Sequence, residues 1–243
     1  VAPGSAGYNK QRRAEFYRRT EERLAALSGV RGVGMANMAV LTNNEWDNGI
    51  TIQGHQPKPG EEMDPHFNAG SQGYFDTLGI HLLAGRAFTA KDVSEAPKVA
   101  IVNASFVKRY FGDGIAVGRR FGQGTDPGTP TDIEIVGVVN DTRYESLRDE
   151  IPLLVYMCHT QAFNNQETVY VRTEREPDAA FGAVRAAIHE LDPNLPVAGM
   201  KTLQRQLDES LVTERMIATL STAFGALATV LAVIGLYGVM AFM

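Results

Sequence analysis

Residues 8–41 read YNKQRRAEFYRRTEERLAALSGVRGVGMANMAVL, and their periodicity changes once. From Tyr8 to Ser28, Phe16, Thr20, Leu24 and Leu27 share one face with Tyr17 beside it, which predicts a helix. Gly29 is placed to stop it. Val33 to Leu41 is compact and apolar and reads as a strand. The other helix faces carry Lys10, Arg12, Arg13, Arg18, Arg19 and Arg23 among Glu15, Glu21 and Glu22, the pattern of a solvated surface rather than a phosphate site.

A second unit of the same kind lies at 178–200, DAAFGAVRAAIHELDPNLPVAGM. Phe181, Val184, Ile188 and Leu191 recur at helical steps, Pro177 precedes them, and Asp192-Pro193 ends the run. Val197 to Met200 reads as a short strand. Between the two units lie short apolar segments. Strands are expected at Ile50–Gln53, His66–Ala69, Val99–Val102, Ile133–Val139, Leu153–Met157 and Thr168–Arg172. Gly73 to Leu78 reads as a turn or two of helix closed by Gly79, and Asn103 caps a helix reaching Tyr110 or Phe111. The reading is an α+β fold, one α/β layer split by a β-rich insert. Its parts are 1–42 with 163–215, and the insert 43–162; residues 1–7 read as a linker.

The chain has 243 residues, 23 Lys+Arg, 28 Asp+Glu and a net charge of −5. That balance argues against a general nucleic-acid binder, which needs a basic surface. The charge stops at Arg215, and residues 216–243, MIATLSTAFGALATVLAVIGLYGVMAFM, contain no Asp, Glu, Lys, Arg or His. A spanning helix needs about 20 mainly apolar residues, so this run is expected to begin a transmembrane helix. A helix starting near Thr202, with Leu203, Leu207 and Leu211 on one stripe, meets no breaker before that run. One continuous helix is expected, with Asp208, Glu209, Glu214 and Arg215 marking its approach to the interface. Ser221, Gly225 and Thr229 form a small-residue stripe suited to helix packing in a membrane. The absence of an initial Met and the apolar end suggest a piece of a longer membrane protein.

No reaction centre assembles from the sequence. His55, His66, His81, His159 and His189 show no helical zinc spacing, and there is no HExxH, GxSxG or GxxxxGK[ST]. His55 and His66 near Glu61, Glu62 and Asp64 read as a solvated loop. Gly112, Gly114 and Gly118 follow a helix and read as turn glycines rather than a dinucleotide fingerprint. Cys158, the single cysteine, reads as a buried or idle thiol, with His159 directed to the opposite face. Neither catalysis nor a cofactor or metal is expected.

Several segments together resemble the MacB/FtsX-like ABC transporter permeases. Gly73-Tyr74-Phe75-Asp76-Thr77-Leu78-Gly79-Ile80 with Leu83-Ala84-Gly85-Arg86-Ala87-Phe88 is similar to the family's GYFxxLGIxLxxGRxF signature. Val99-Ala100-Ile101-Val102-Asn103 with Arg109-Tyr110-Phe111, and Glu134 to Val139 with Asp141, resemble its next two segments, although Phe106-Val107 stand where Phe-Ala is usual. Val155-Tyr156 and Asp192-Pro193-Asn194-Leu195-Pro196-Val197 follow in the family's order, and Gly235-Leu236-Tyr237-Gly238-Val239 resembles its membrane helix. The likeness covers nearly the whole chain and is nearest in kind to the duplicated orphan permeases.

This resemblance implies a periplasmic core domain with a porter-like α/β part and an inserted lobe. Residues 1–215 are expected on the periplasmic side of the inner membrane. The implied function is mechanical: a cytoplasmic ATPase, in a partner or elsewhere in the polypeptide, drives periplasmic export or mechanotransmission. Implied partners are membrane lipid, a second permease protomer or half, that ATPase, and a periplasmic adaptor or cargo, with no nucleic acid. The runner-up is a sensor or scaffold that binds a periplasmic partner without transport. The family's first strand precedes Tyr8, so Val1-Ala2 reads as its remnant beside an exposed sheet edge.

Overall fold

The computed structural model describes residues 1–3, 7–42, 44, 46–112, 114–142, 151–162 and 166–241, without the side chains at 212–216, 218, 235, 236, 238, 239 and 241. Asn43, one end of the expected insert, lies outside these residues. The chain divides into two compact units, Val1–Met200 and Lys201–Met243.

The first unit begins with α1 (Lys10–Ala25) and β1 (Val30–Ala36). Asn9 caps α1 by accepting from the Arg12 amide at 2.9 Å. The expected strand therefore starts at Val30 and ends at Ala36, five residues before Leu41. The reason is Asn68, whose Oδ1 accepts from Met38 N at 2.9 Å while its Nδ2 donates to Met38 O at 3.1 Å, turning the chain off the ladder. Then come β2 (Ile50–Ile52), β3 (His66–Gly70), α2 (Tyr74–Leu78), β4 (Leu82–Gly85), β5 (Val99–Asn103) and α3 (Ala104–Phe111). The unit continues with β6 (Arg120–Gln123), β7 (Ile133–Val139), β8 (Leu154–Cys158), β9 (Thr168–Thr173), a 3-10 turn at Pro177–Ala180, and α4 (Phe181–Leu191).

Among the described residues the nine strands form one mixed sheet, ordered β2-β6-β7-β5-β8-β3-β1-β9, with β4 paired to β7. β5 runs parallel to β7, and β3 parallel to β8. β1 and β9 pair along their length, but β1 meets β3 in register only at Ala36 and Gly70. That single registered pair joins β1 and β9 to β2–β8, the middle lobe of the same sheet. β9 is the end strand, and Val1 exchanges backbone hydrogen bonds with Glu167 just ahead of it.

Three cores follow from strand alternation. Val33 and Met35 face α1 and α4, packing with Phe16, Leu24, Val184 and Ile188. Ala100, Val102, Ile133, Ile135 and Val155 face α3 through Phe106 and Tyr110. Val99, Ile101, Tyr156 and Tyr170 face α2 through Tyr74 and Phe75. A bulge in β7 pairs Ala100 with Ile135 but Ile101 with Gly137. The extra residue reverses the alternation, so Val138 joins Ile135 on the α3 side while Val136 and Val139 face α2.

Three sequence expectations differ from the structure. β4 and β6 were not expected; each borrows its order from one half of β7, and every β4 side chain is exposed, so neither carries a period-two pattern. Val197–Met200 forms no strand. Asp192 Oδ1 accepts from Asn194 N at 2.8 Å and turns the chain, and Val197 and Met200 pack half-buried beside α1 and α4.

The second unit is α5 (Leu203–Ala241), 39 residues without interruption, as the missing breaker predicts. Thr202 Oγ1 accepts from Arg205 N at 3.1 Å at its start. Every described side chain from Thr219 to Ile234 is exposed. Among the described residues no helix is long and apolar enough to cross a membrane, so the expected transmembrane helix is not shown. The side chains of Glu214, Arg215, Gly235, Leu236, Gly238 and Val239 lie outside the described set.

Candidate functional site

The site with the most specific geometry is the junction where α2 sits on β1. It forms because the chain around α2 is thin. Gly34 faces α2 from β1, and a Cβ there would stand 2.6 Å from the Tyr74 Cα. A Cβ on Gly73 would overlap the Val33 carbonyl oxygen. Gly79 closes α2 with φ 73°, a left-handed conformation that side chains rarely adopt. Backbone thus packs on backbone, with only the small Thr77 side chain set against Gly32 of β1.

The rings of α2 go into an aromatic cluster. Tyr74 meets Tyr170 of β9 at 5.8 Å between ring centres and Tyr156 of β8 at 5.9 Å. Phe75 meets Tyr156 edge-on at 5.1 Å and Phe88 at 5.9 Å. Tyr74 and Phe75 therefore bridge β9 of the outer layer and β8 of the middle lobe. Burial pushes the Tyr156 and Tyr170 phenols up to about 12, so both stay neutral.

A strap closes the far side. Gly85, at φ 76°, lies so close to β7 that a Cβ would overlap the Val136 carbonyl oxygen. Arg86 N donates to that oxygen at 2.8 Å. The Arg86 guanidinium then grips both oxygens of Asp92, at 2.8 and 2.9 Å. Asp92 also accepts from Thr89 N at 2.7 Å, and its carbonyl accepts from Cys158 Sγ at 3.3 Å and from Thr160. Burial raises the Asp92 carboxyl, but Arg86 and Thr89 outweigh it and hold it below its usual 3.8. Burial pushes the Cys158 thiol up, which makes it a poor nucleophile, and its partner is a carbonyl rather than a base.

Two polar nodes complete the junction. Asn103 Oδ1 accepts from Phe106 N at 3.1 Å, as an N-cap does, and from Leu154 N at 2.9 Å, while its Nδ2 donates to Asp141 at 2.8 Å. Asp141 also accepts from Ser105 N and Oγ, both at 2.9 Å. On the other side, Ser71 Oγ donates to Glu21, and His159 Nδ1 lies 3.4 Å from Glu167 Oε1. Glu21, Ser71, His159 and Glu167 gave no sequence signal, because Glu21 and Ser71 are 50 residues apart. The signal that existed was faint: Glu21 follows Thr20, which lies on the buried stripe of α1.

The structure gathers Gly73, Tyr74, Phe75, Gly79, Gly85 and Arg86 into this one junction, with separate tasks in backbone contact, aromatic bridging and strapping. It does not join them to the other nominated groups. Leu203, Leu207 and Leu211 lie in α5, with Leu203 exposed and the other two half-buried. Ser221, Gly225 and Thr229 are exposed on α5, and nothing stands within 4 Å of a Cβ at Gly225. His55 lies 3.3 Å from Glu61 and edge-on to Tyr110, while His66 begins β3. Among the described residues no group of three side chains could hold a metal ion. The α1 cations include Arg18, paired with Glu15 and Glu22, and Arg23, paired with Glu190.

Residues 1–191 match the model of a family described as the MacB-like periplasmic core domain. The fold is similar to the periplasmic region of MacB from Actinobacillus actinomycetemcomitans, with 15% identity and a TM-score of 0.50, over 71% of this chain and 72% of that one. The extracellular domain of the noncanonic ABC-type transporter YknZ from Gram-positive bacteria aligns at 17% identity and a TM-score of 0.46, over 70% of this chain and 81% of that one. No curated protein matches the sequence.

Proposed function

The chain belongs to the MacB-like periplasmic core domain family, and from that premise we propose that it transmits mechanical work in an ABC transporter permease. In this reading the Val1–Met200 unit stands in the periplasm and α5 enters the inner membrane. ATP hydrolysis, by a cytoplasmic domain or subunit, moves α5 and through it the periplasmic unit. The domain performs no chemistry of its own. A second permease protomer or half completes the assembly, and an adaptor or cargo receives the movement.

The observation that carries this reading is α5 itself. Its 39 residues form one helix, about 58 Å long at 1.5 Å per residue. Its N-terminal part is charged, with Glu209 bonded to Lys201 at 2.7 Å, and Leu203, Leu207 and Leu211 offer a packing stripe. Further along, Leu220, Phe224, Leu227, Val230, Leu231 and Ile234 are all more than half exposed and form one apolar stripe along the helix. Apolar surface in water is unfavourable by roughly 25 cal/mol per Å², and lipid removes that penalty. Ser221, Gly225 and Thr229 would let a neighbouring helix approach closely there.

Spin labels at Asp76 and Gln204, in the whole permease with its ATPase in vesicles, test the reading. The distance is expected to change between the nucleotide-free and ATP-bound states. A distance constant through the cycle overturns transmission and leaves a binding scaffold.

A further inference from the structure

Four separate stretches meet at one buried polar cluster. α1 contributes Glu21, the β3–α2 link Ser71, the end of β8 His159, and the entry to β9 Glu167. Ser71 is tied to β1 in both directions, its N donating to Met35 O at 2.9 Å and its Oγ accepting from Met35 N at 3.0 Å. That hydroxyl then donates to Glu21. His159 N donates to Gly70 O at 3.1 Å, which anchors it to β3. Its ring is 11% exposed and the Glu167 carboxylate beside it 1%. A carboxylate as far from water as Glu167 is far better held against an imidazolium than against a neutral ring.

We propose that His159 is a proton-operated latch across the junction between the β1/β9 layer and the middle lobe. With the ring protonated, one cation lies among Glu21 of α1 and Glu167 ahead of β9, and binds both to the end of β8. With the proton gone, the buried Glu167 and half-buried Glu21 carboxylates repel each other and the junction loosens. The latch does not depend on what the domain transmits.

The other charged or titratable groups around the cluster are few. α1 supplies Arg13 and Tyr17, with Glu22 beside Glu21, and the Val1 amino group donates to the Glu167 carbonyl at 3.0 Å. Burial keeps the Tyr17 phenol neutral. Burial alone lowers the His159 pKa, but the hydrogen bond and charge of Glu167 and the charge of Glu21 outweigh it and leave it above 6.5. Burial raises the Glu21 carboxyl above 4.5 by more than Ser71 and His159 lower it. Both groups therefore bind protons more tightly in the folded state, so their contribution is full at low pH and lost as pH rises. For Glu21 the loss begins above its unfolded value of about 4.5, and for His159 above about 6.5.

The test uses the whole 243-residue chain in detergent micelles. Hydrogen-exchange protection factors of the Met35, Ser71 and His159 amides are compared at about pH 5.5 and about pH 8, on either side of an ordinary histidine. Imidazole nitrogen shifts follow the ring. In the wild type, protection is expected to fall roughly tenfold or more with a midpoint above 6.5. In His159→Gln the histidine step is expected to vanish, leaving only the smaller fall that Glu21 contributes from lower pH. Unchanged wild-type protection, or a fall of the same size and midpoint in His159→Gln, overturns the latch. If His159→Gln does not fold, Glu167→Gln decides: the ring midpoint must drop, and an unmoved midpoint overturns the proposal.

Discussion

Gly34 of β1 and Tyr74 of α2 touch backbone to backbone: a Cβ on Gly34 would stand 2.6 Å from the Tyr74 Cα. Contacts that close are essentially never made by a real side chain, so the strand and the helix must move apart if one is added. Gly34→Ala and Gly73→Ala are each expected to lower stability by about 1–3 kcal/mol, the usual range for overpacking. Gly182 in α4 is the control, because nothing stands within 4 Å of its Cβ position. Gly182→Ala should raise stability by about 0.4–1 kcal/mol. Urea unfolding of the three variants separates the two signs.

The Arg86–Asp92 strap has an acid signature. The folded Asp92 carboxyl titrates below its ordinary 3.8. A depressed pKa means stability present above the unfolded value and lost as pH falls through the folded one. Asp92→Asn is therefore expected to lower stability by about 1–3 kcal/mol at neutral pH, and the gap from wild type should shrink below about pH 3.8. Unfolding curves from neutral to acid check this, and a gap that does not change with pH counts against the strap. Arg86→Lys should lose most of the same stability, since an ammonium cannot hold both oxygens in one plane.

Asn103 serves two elements with one side chain, capping α3 and receiving the first β8 amide. Asn103→Ala should lower stability by about 2 kcal/mol, the upper end for an N-cap, because the buried Leu154 amide also loses its acceptor. Asn103→Asp keeps the acceptors but places a second carboxylate 2.8 Å from Asp141. It should be rescued in part by Asp141→Asn, which a double-mutant cycle measures directly.

Removing residues 216–243 tests the assignment of the tail to lipid. The Val1–Met200 unit has its own cores, so the truncated chain should stay in solution without detergent and unfold cooperatively. Circular dichroism and thermal melting are sufficient readouts. A truncated chain that fails to fold makes the apolar run part of a protein core instead.

Much of the fold was legible because its signals are local. The stripe Phe16, Thr20 and Leu24, the Asn103 cap and the β-branched run Ile133–Val139 each state their element within a dozen residues, and each forms as read. The Gly73–Arg86 signature located the junction without disclosing its mechanics. Gly34 opposite Tyr74 and Glu21 against Ser71 depend on which strands become neighbours. β4 and β6 were missed for the same reason, as half-strands ordered by β7.

The sequence alone determined the alternation of elements, the family likeness and the break in charge after Arg215, since composition and periodicity are properties of nearby residues. Only the tertiary structure decided that outer layer and middle lobe share one sheet through a single registered pair, Ala36 with Gly70. It alone placed His159 between the buried Glu167 and the half-buried Glu21. Such neighbours arise from closing loops, of 50 residues between Glu21 and Ser71, and no local pattern encodes which distant group will fill the space.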